Sequence, residues 1–248
     1  TAEDLPEASF AGQQETYLNV RGDKDVLKAV KKCLASLFTN RAISYREGHA
    51  FGHMNVALSV TVQEMVNAGS GVSGVLFTLD TESGFPGVVL VNASYGLGEY
   101  VVKGRVTPDQ FYVFKAGLKQ GKRAIISRRL GTKLVKLAYG SKSGTRQLLV
   151  PRREQERFSL SDDDVLELAR WGLLIENHYG RFQDIEWAKD GENGKLYIVQ
   201  ARPETVKARS NHAVIEQYQL KKKGTVICTG TAIGQKIGAG KVRVIEHP

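Results

Sequence analysis

Apolar residues recur along this 248-residue chain in two rhythms, one of helical period and one of strand alternation, and the change from one to the other divides it into elements. From Asp23 to Phe38 the apolar positions are Val26, Leu27, Val30, Cys33, Leu34, Leu37 and Phe38, with lysines between them. That spacing predicts an amphipathic helix that packs by one face. A second helix is announced by Ser161 followed by Asp162, Asp163 and Asp164, a hydroxyl N-cap with acids where the macrodipole favours them. Its core face is Val165, Leu166, Leu168, Ala169, Trp171, Leu173, Leu174 and Ile175, and Gly180 ends it after Tyr179. The three aspartates are therefore read as caps rather than catalysts.

Elsewhere the rhythm shortens. Tyr17 to Val20, Val56 to Val66 and Phe111 to Lys115 read as strands, and Val75 to Asp80 and Gly87 to Ala93, joined by TESGFPG, read as an antiparallel meander. Arg41 to Met54 is polar, and Gly48 and Gly52 argue against a stable helix there. Phe182 to Lys189 and Leu196 to Ala201 flank the turn-rich DGENG and predict a hairpin. With the turn centred near Glu192 or Asn193, either even-sum register puts Asp184, Glu186, Gln200 and Arg202 on one face. Ile185, Trp187, Val199 and Ala201 then form the dry face. Beyond Pro203, TVKARSNHAVIEQ reads as a linker and VICTGTAIGQKIGAGKVRVI as the opening strands of another domain.

Composition narrows the function classes only a little. A hydrophobic content of 42% supplies a real core, and a formal charge of +9 suits an anionic ligand without naming it. The aromatic interleaving of an RNA-binding sheet and any DNA-binding motif are missing, so nucleic acid is not expected as a partner. No apolar run approaches the roughly 20 residues of a membrane helix, and the N-terminal stretch has neither a charged n-region nor an apolar h-region. A soluble, cytoplasmic chain is the expectation. Cys33 and Cys228 lack CxxC neighbours and are expected to be buried thiols. His49 and His53 stand at i, i+4 but lack a third ligand, which favours ordinary surface histidines. The basic run Lys119 to Arg153, Lys133 included, reads mainly as solvated strands and loops.

The candidate chemistry lies on the hairpin. Asp184, Glu186, Gln200 and Arg202 on one face could hold a hard divalent cation through oxygen and a phosphate through the guanidinium fork. A cross-strand ion pair on a solvated sheet is the competing reading. Gly12 and Thr16 frame a polar loop that could receive an anion, although the spacing alone favours an ordinary turn. Gln63 and Met65 close a strand that empties into NAGSGVSG, where backbone groups could read an adenine ring; spacing alone favours a plain strand and turn. YGLGE, from Tyr95 to Glu99, has neither the GxGxxG fingerprint nor a Walker lysine.

Seven stretches, in this order, make the chain resemble the phosphoenolpyruvate synthase family over essentially its whole length: TAEDLPEASFAGQQETYLNV, VQEMV, DTESGFPGVV, YGLGE, HYGRFQDIEWAKDG, LYIVQARPETV and GTAIGQKIGAG. The wider family includes pyruvate phosphate dikinase and rifampicin phosphotransferase. The resemblance implies an α+β fold: an ATP-grasp-like nucleotide-binding domain over 1–205 that lacks its N-terminal lobe, a linker over 206–217, and the first strands of a phosphohistidine swivelling domain over 218–248. It implies ATP as substrate and Mg²⁺ as cofactor, with the β-phosphoryl passing to a carrier histidine outside this chain. Pyruvate would become phosphoenolpyruvate at a separate domain, with water, AMP and phosphate completing the reaction.

Carried over by position, Gly12 and Thr16 belong to the phosphate loop, and Gln63 and Met65 to the adenine hinge. Glu186 and Gln200 belong to the magnesium shell and Arg202 to the phosphates as the catalytic residue, with Asp184 and Glu99 beside them. None of His49, His53, His178, His212 or His247 has the TxxxH-like context of the carrier, so that histidine is expected beyond Pro248 and the fragment alone is expected to be inactive. The rivals are the corresponding domain of a related dikinase or antibiotic phosphotransferase, and a non-enzymatic basic binding module.

Overall fold

The computed structural model describes residues 4–5, 8–9, 14–48, 52–54, 56–141, 143–204, 224–226, 241 and 243. Gly12, His49, His212, Cys228, His247, the expected linker and nearly all of the expected carrier strands lie outside these residues. In chain order the helices are α1 (Asp23–Ala35), α2 (Asn40–Gly48), α3 (Glu99–Val102), α4 (Lys115–Lys119), α5 (Arg152–Gln155) and α6 (Asp162–Tyr179). The strands are β1 (Asp4–Leu5), β2 (Ala8–Ser9), β3 (Val72–Phe77), β4 (Val88–Tyr95), β5 (Asp109–Phe114), β6 (Ile125–Arg129), β7 (Val135–Tyr139), β8 (Thr145–Leu149), β9 (Gln183–Lys189) and β10 (Leu196–Pro203). This is an α+β arrangement built on a six-stranded sheet of order β10-β9-β3-β4-β5-β6, every pairing antiparallel.

The long helix begins as its sequence predicts. Ser161 Oγ accepts from the Asp164 amide at 3.2 Å, and the Asp164 carboxylate accepts from the Ser161 amide at 3.2 Å, which closes a capping box. Gly180 ends it at φ 63°, a conformation glycine adopts without strain. Val165, Leu166, Leu168, Ala169 and Leu173 pack against one sheet face, where Leu76, Val89, Val91, Phe111, Val113, Ile185 and Trp187 are buried. Close packing here depends on Gly74 of β3: a Cβ would lie 1.8 Å from the Asn92 carbonyl oxygen and 2.9 Å from the Trp187 ring. The opposite sheet face is only partly covered, by a smaller cluster of Ala68, Leu97, Tyr100, Leu137 and Ala188.

Several expectations are corrected. Neither Tyr17 to Val20 nor Val56 to Val66 forms a strand, because β-propensity specifies only a chain that fits a sheet and no described strand pairs with either segment. Helix α2 forms where glycine argued against it, since Gly48 is its last residue and Ala42, Tyr45 and Arg46 are buried. The stripe on α1 does not pack as expected: no residue of that helix is buried among the described residues, and Leu27 and Leu34 are exposed. Leu174 is 70% exposed and lies off the core face of α6. Cys33 is only half-buried, its thiol 3.4 Å from the Glu15 carbonyl oxygen. His53 is half-buried, 2.8 Å from the Glu47 carboxylate and 3.2 Å from Arg46 Nε. Among the described residues no helix is long and apolar enough to cross a membrane.

Lys133 departs furthest from its expected place on a solvated basic surface. It is 0% exposed, and its ammonium donates to Asp109 Oδ1 at 2.6 Å, the Gly131 carbonyl at 2.9 Å and the Gln155 carbonyl at 3.3 Å. Asp109 also accepts from the Gly131 amide at 2.9 Å and from both the amide and hydroxyl of Ser159 at 2.8 Å. One buried pair thus fastens β5 to the segments before β7 and α6. Lys133→Met, which leaves the Asp109 charge uncompensated, is expected to cost about 3–5 kcal/mol, read as a lowered urea midpoint. An unchanged midpoint would remove the pair from the stabilising interactions of the fold.

Candidate functional site

The hairpin β9–β10 starts from a turn that its own side chain organises. Asp190 accepts from the amides of Glu192 at 2.8 Å and Asn193 at 3.0 Å, and Gly194, at φ 70°, returns its amide to the Asp190 carbonyl at 3.0 Å. The amides of Asn193 and Glu192, with that of Asn67, hold the Asp190 carboxyl below its usual range.

From this turn the strands pair as Leu196 with Lys189, Tyr197 with Ala188 and Ile198 with Trp187, an odd-sum register. Continued unbroken, it would set Gln200 opposite Ile185. An irregularity between Ile198 and Gln200 takes up Val199 as an extra residue, and the pairs become Gln200 with Glu186 and Arg202 with Asp184. The four polar side chains therefore share one face, as the alternation predicts, but through a bulge that the even-sum expectation did not contain. Val199 and Ala201 are exposed and do not complete a dry face, because β10 is the sheet edge and only Leu196 and Ile198 pack against the core.

On β9 the alternation is strict. Ile185 and Trp187 lie beneath α6, so Asp184 and Glu186 face the other way, opposite Phe77 and Val75 of β3. Arg202 donates from Nε at 2.9 Å and Nη2 at 2.6 Å to Asp184 Oδ2, the two side chains being 25% and 12% exposed. The cross-strand ion pair anticipated as a competing reading is thus present. Glu186 has no hydrogen-bond partner among the described residues. Burial, then the charge of Asp184, raises its pKa against the pull of Arg202. Burial likewise raises the pKa of Asp184, outweighing its direct contact with Arg202.

Gln63 and Met65 line a cleft of about 480 Å³ together with Asn19, Glu64, Asn67 and Tyr139. Two contacts tie this cleft to the hairpin. Gln63 Nε2 lies 3.5 Å from the carbonyl of the bulged Val199. Asn67 donates from its amide to Asp190 at 3.2 Å and from Nδ2 to Glu192 at 2.8 Å, and accepts from the Gly191 amide at 3.0 Å. Thr16 is exposed, on a segment tied through Gln14 and Glu15 to Ser36 at the end of α1. Glu99 opens α3 and pairs with Lys103. No hydrogen bond among the described residues joins Thr16 or Glu99 to the hairpin, and Gly12 lies outside those residues.

The clasp between Asn67 and the turn escaped the sequence reading, although the DGENG turn that makes it was recognised. A further set of groups gave no sequence signal: Asn92 Oδ1, Ser94 Oγ and Trp187 Nε1 are buried without a partner among the described residues.

Residues 1–222 match the family described as pyruvate phosphate dikinase, AMP/ATP-binding domain. The chain is 58% identical over 250 residues to the phosphoenolpyruvate synthase of Pseudomonas aeruginosa, covering 99% of this chain and 32% of that protein. It is 52% identical over 250 residues to the phosphoenolpyruvate synthase of Escherichia coli, covering 99% and 31%. With the phosphoenolpyruvate synthase of Pyrococcus furiosus it shares 44% identity over 255 residues, covering 99% and 30%. The chain thus spans about a third of the length of the curated relatives it matches.

The charge arrangement predicts a trade between stability and binding. A carboxyl whose pKa is raised by folding favours the fold when protonated, and that contribution is lost as pH rises through the folded pKa. At neutral pH ionised Glu186 is therefore a local cost. Glu186→Gln is expected to raise the stability of the metal-free protein by on the order of 0.5–2 kcal/mol. The gain should fade as pH falls and the wild-type carboxyl protonates, measured by thermal melts from neutral to mildly acid pH. A destabilised variant at neutral pH would contradict this account of Glu186.

Proposed function

The chain belongs to the pyruvate phosphate dikinase AMP/ATP-binding domain family, and on that premise we propose that it is the ATP-binding part of a phosphoenolpyruvate synthase. In this reading ATP lies between the cleft at Gln63 and Met65 and the charged face of the hairpin, on an ATP-grasp-like domain. Its β-phosphoryl passes to a histidine elsewhere in a longer protein, on a swivelling domain, and then to pyruvate, while water takes the γ-phosphoryl, so that ATP, pyruvate and water yield phosphoenolpyruvate, AMP and phosphate in the cytoplasm. This chain alone does not complete that reaction.

The observation that carries the reading is the Glu186 carboxylate, without a hydrogen-bond partner among the described residues, set opposite Gln200 and beside an Arg202 already braced by Asp184. The donor set fits Mg²⁺: one carboxylate and one amide oxygen leave room for water and phosphate oxygens, the mixed shell this ion prefers. When bound, the ion would neutralise phosphate charge. The protein's own part is positional. Arg202 is held at Nε and Nη2 by one carboxylate oxygen, which fixes the plane of its guanidinium on the charged face. Phosphoryl transfer needs little else from a protein beyond alignment and charge where negative charge accumulates. Gly12 and Thr16 complete the proposal as phosphate-loop residues, and Glu99 as an acid at its margin.

The ion pair between Arg202 and Asp184 also supports a purely structural reading, and one substitution separates the two. A lysine can keep the charge but cannot grip Asp184 and a phosphate together. In the longer protein that carries this chain, Arg202→Lys is expected to slow phosphorylation of the enzyme by ATP by about 2–4 kcal/mol in barrier height. The partial reaction between phosphorylated enzyme and pyruvate should keep its rate. Wild-type autophosphorylation would leave Arg202 as a cross-strand partner only. Glu186→Ala is expected to abolish the Mg²⁺ dependence of ATP binding, and a variant that retains it would refute the metal assignment.

A further inference from the structure

The cleft beside the hairpin has two ends of different character. Gln63 Nε2 meets the Val199 carbonyl at 3.5 Å, and Gln200 follows Val199 on the strand, so the Gln63 end adjoins the charged face. Four residues on, Asn67 is fastened to the turn at Asp190 and Glu192, and the Tyr139 hydroxyl donates to the Val66 carbonyl at 2.7 Å. The far end of the cleft is therefore built by Val66, Asn67 and Tyr139. Arg21 stands at that end too: it lines the same cleft, and its charge acts on the Tyr139 hydroxyl. Among the described residues it is the one cationic side chain in the lining, and no carboxylate among them pairs with it.

The position of Arg21 is set two residues earlier. Asn19 is 5% exposed, and its Nδ2 donates to the Gly144 carbonyl at 2.8 Å, with the Gly140 carbonyl 3.5 Å away. Two carbonyls require the donor end of the amide, which leaves Oδ1 for Arg21, whose Nε donates to it at 3.0 Å. Asn19 reaches this geometry at φ 54°, a left-handed conformation that costs energy for any residue with a side chain, though less for asparagine than for most. The brace ties Arg21 to the turn between β7 and β8, the hairpin that also carries Tyr139.

Charge decides which part of a nucleotide this end receives. Glu64 lines the cleft, and the carboxylates of Asp190 and Glu192 accept from Asn67 at its margin. Three carboxylates against one guanidinium make the far end a poor place for a triphosphate and leave it to an uncharged ring. The phosphates then belong at the Gln63 end, beside the charged face of the hairpin. A guanidinium is planar and weakly hydrated, and it stacks on aromatic faces where an ammonium offers only a point charge. We propose that Arg21, braced by Asn19, is a base-binding residue whose guanidinium packs on the face of the adenine ring at the Tyr139 end of the cleft. This rests on the reading of the cleft as the place of adenine.

The test uses the longer protein that carries this chain, with labelled ATP at fixed Mg²⁺ displaced by adenosine in one series and by inorganic tripolyphosphate in another. Arg21→Met, which keeps the stem and removes the charged plane, is expected to weaken adenosine by about 3- to 30-fold and ATP by a similar factor. Tripolyphosphate should displace ATP as it does from the wild type. Arg21 is exposed, so the thermal midpoint should stay in place, and a melt of the variant separates lost binding from lost folding. An unchanged adenosine affinity in Arg21→Met overturns the proposal. So does a loss confined to tripolyphosphate, which would assign Arg21 to the phosphates. The wild type tells this failure from that of the function. If adenosine displaces ATP from wild type and Arg21→Met alike, only the role of Arg21 falls; if the wild type binds no ATP, the ATP-binding reading itself falls.

Discussion

Trp187 and Ile185 must lie beneath α6, and most of the site follows from that requirement. Both are essentially fully buried in the main core. Burying side chains of this size is worth about 1.5–3 kcal/mol each, so β9 cannot rotate about its axis or slip by one residue without exposing them. Alternation then commits Asp184 and Glu186 to the opposite face, where the sheet is only partly covered. The core places two carboxylates side by side at an electrostatic cost that it is strong enough to bear.

The second strand answers a different constraint. Near the turn, Leu196 and Ile198 join the dry side, which imposes the odd-sum register; further on, Gln200 and Arg202 are wanted opposite Glu186 and Asp184. No unbroken ladder satisfies both. The extra residue at Val199 resolves the conflict, and an edge strand tolerates it because only one side of its backbone is paired. The same bulge leaves the Val199 carbonyl directed at Gln63, so the irregularity that aligns the charged face also touches the cleft.

The Lys133–Asp109 pair anchors the far half of the sheet, and Asp190 the near half. The former holds β5 to the segments before β7 and α6 in a dry setting, where a single lost partner is costly. The latter is a half-buried residue whose carboxylate organises its own turn and then accepts from Asn67, so the hairpin is hydrogen-bonded to the segment bearing Gln63 and Met65.

What the sequence determined by itself was whatever depends on near neighbours. The capping of α6 by Ser161, its stop at Gly180, the β3–β4 meander and the β9–β10 hairpin rest on turn chemistry and periodicity within a few residues. The pairing of Asp184 and Glu186 on one face is likewise a matter of spacing two. Tertiary structure decided whatever depends on who stands opposite. Val56 to Val66 has strand composition but no ladder, since a strand exists only with a partner; Lys133 sits in a basic run yet is buried, since Asp109 lies 24 residues away in sequence and only folding brings it within 2.6 Å. The register change at Val199 was equally illegible. It arises from competition between packing on one side of a strand and pairing on the other, which no single segment of the chain encodes.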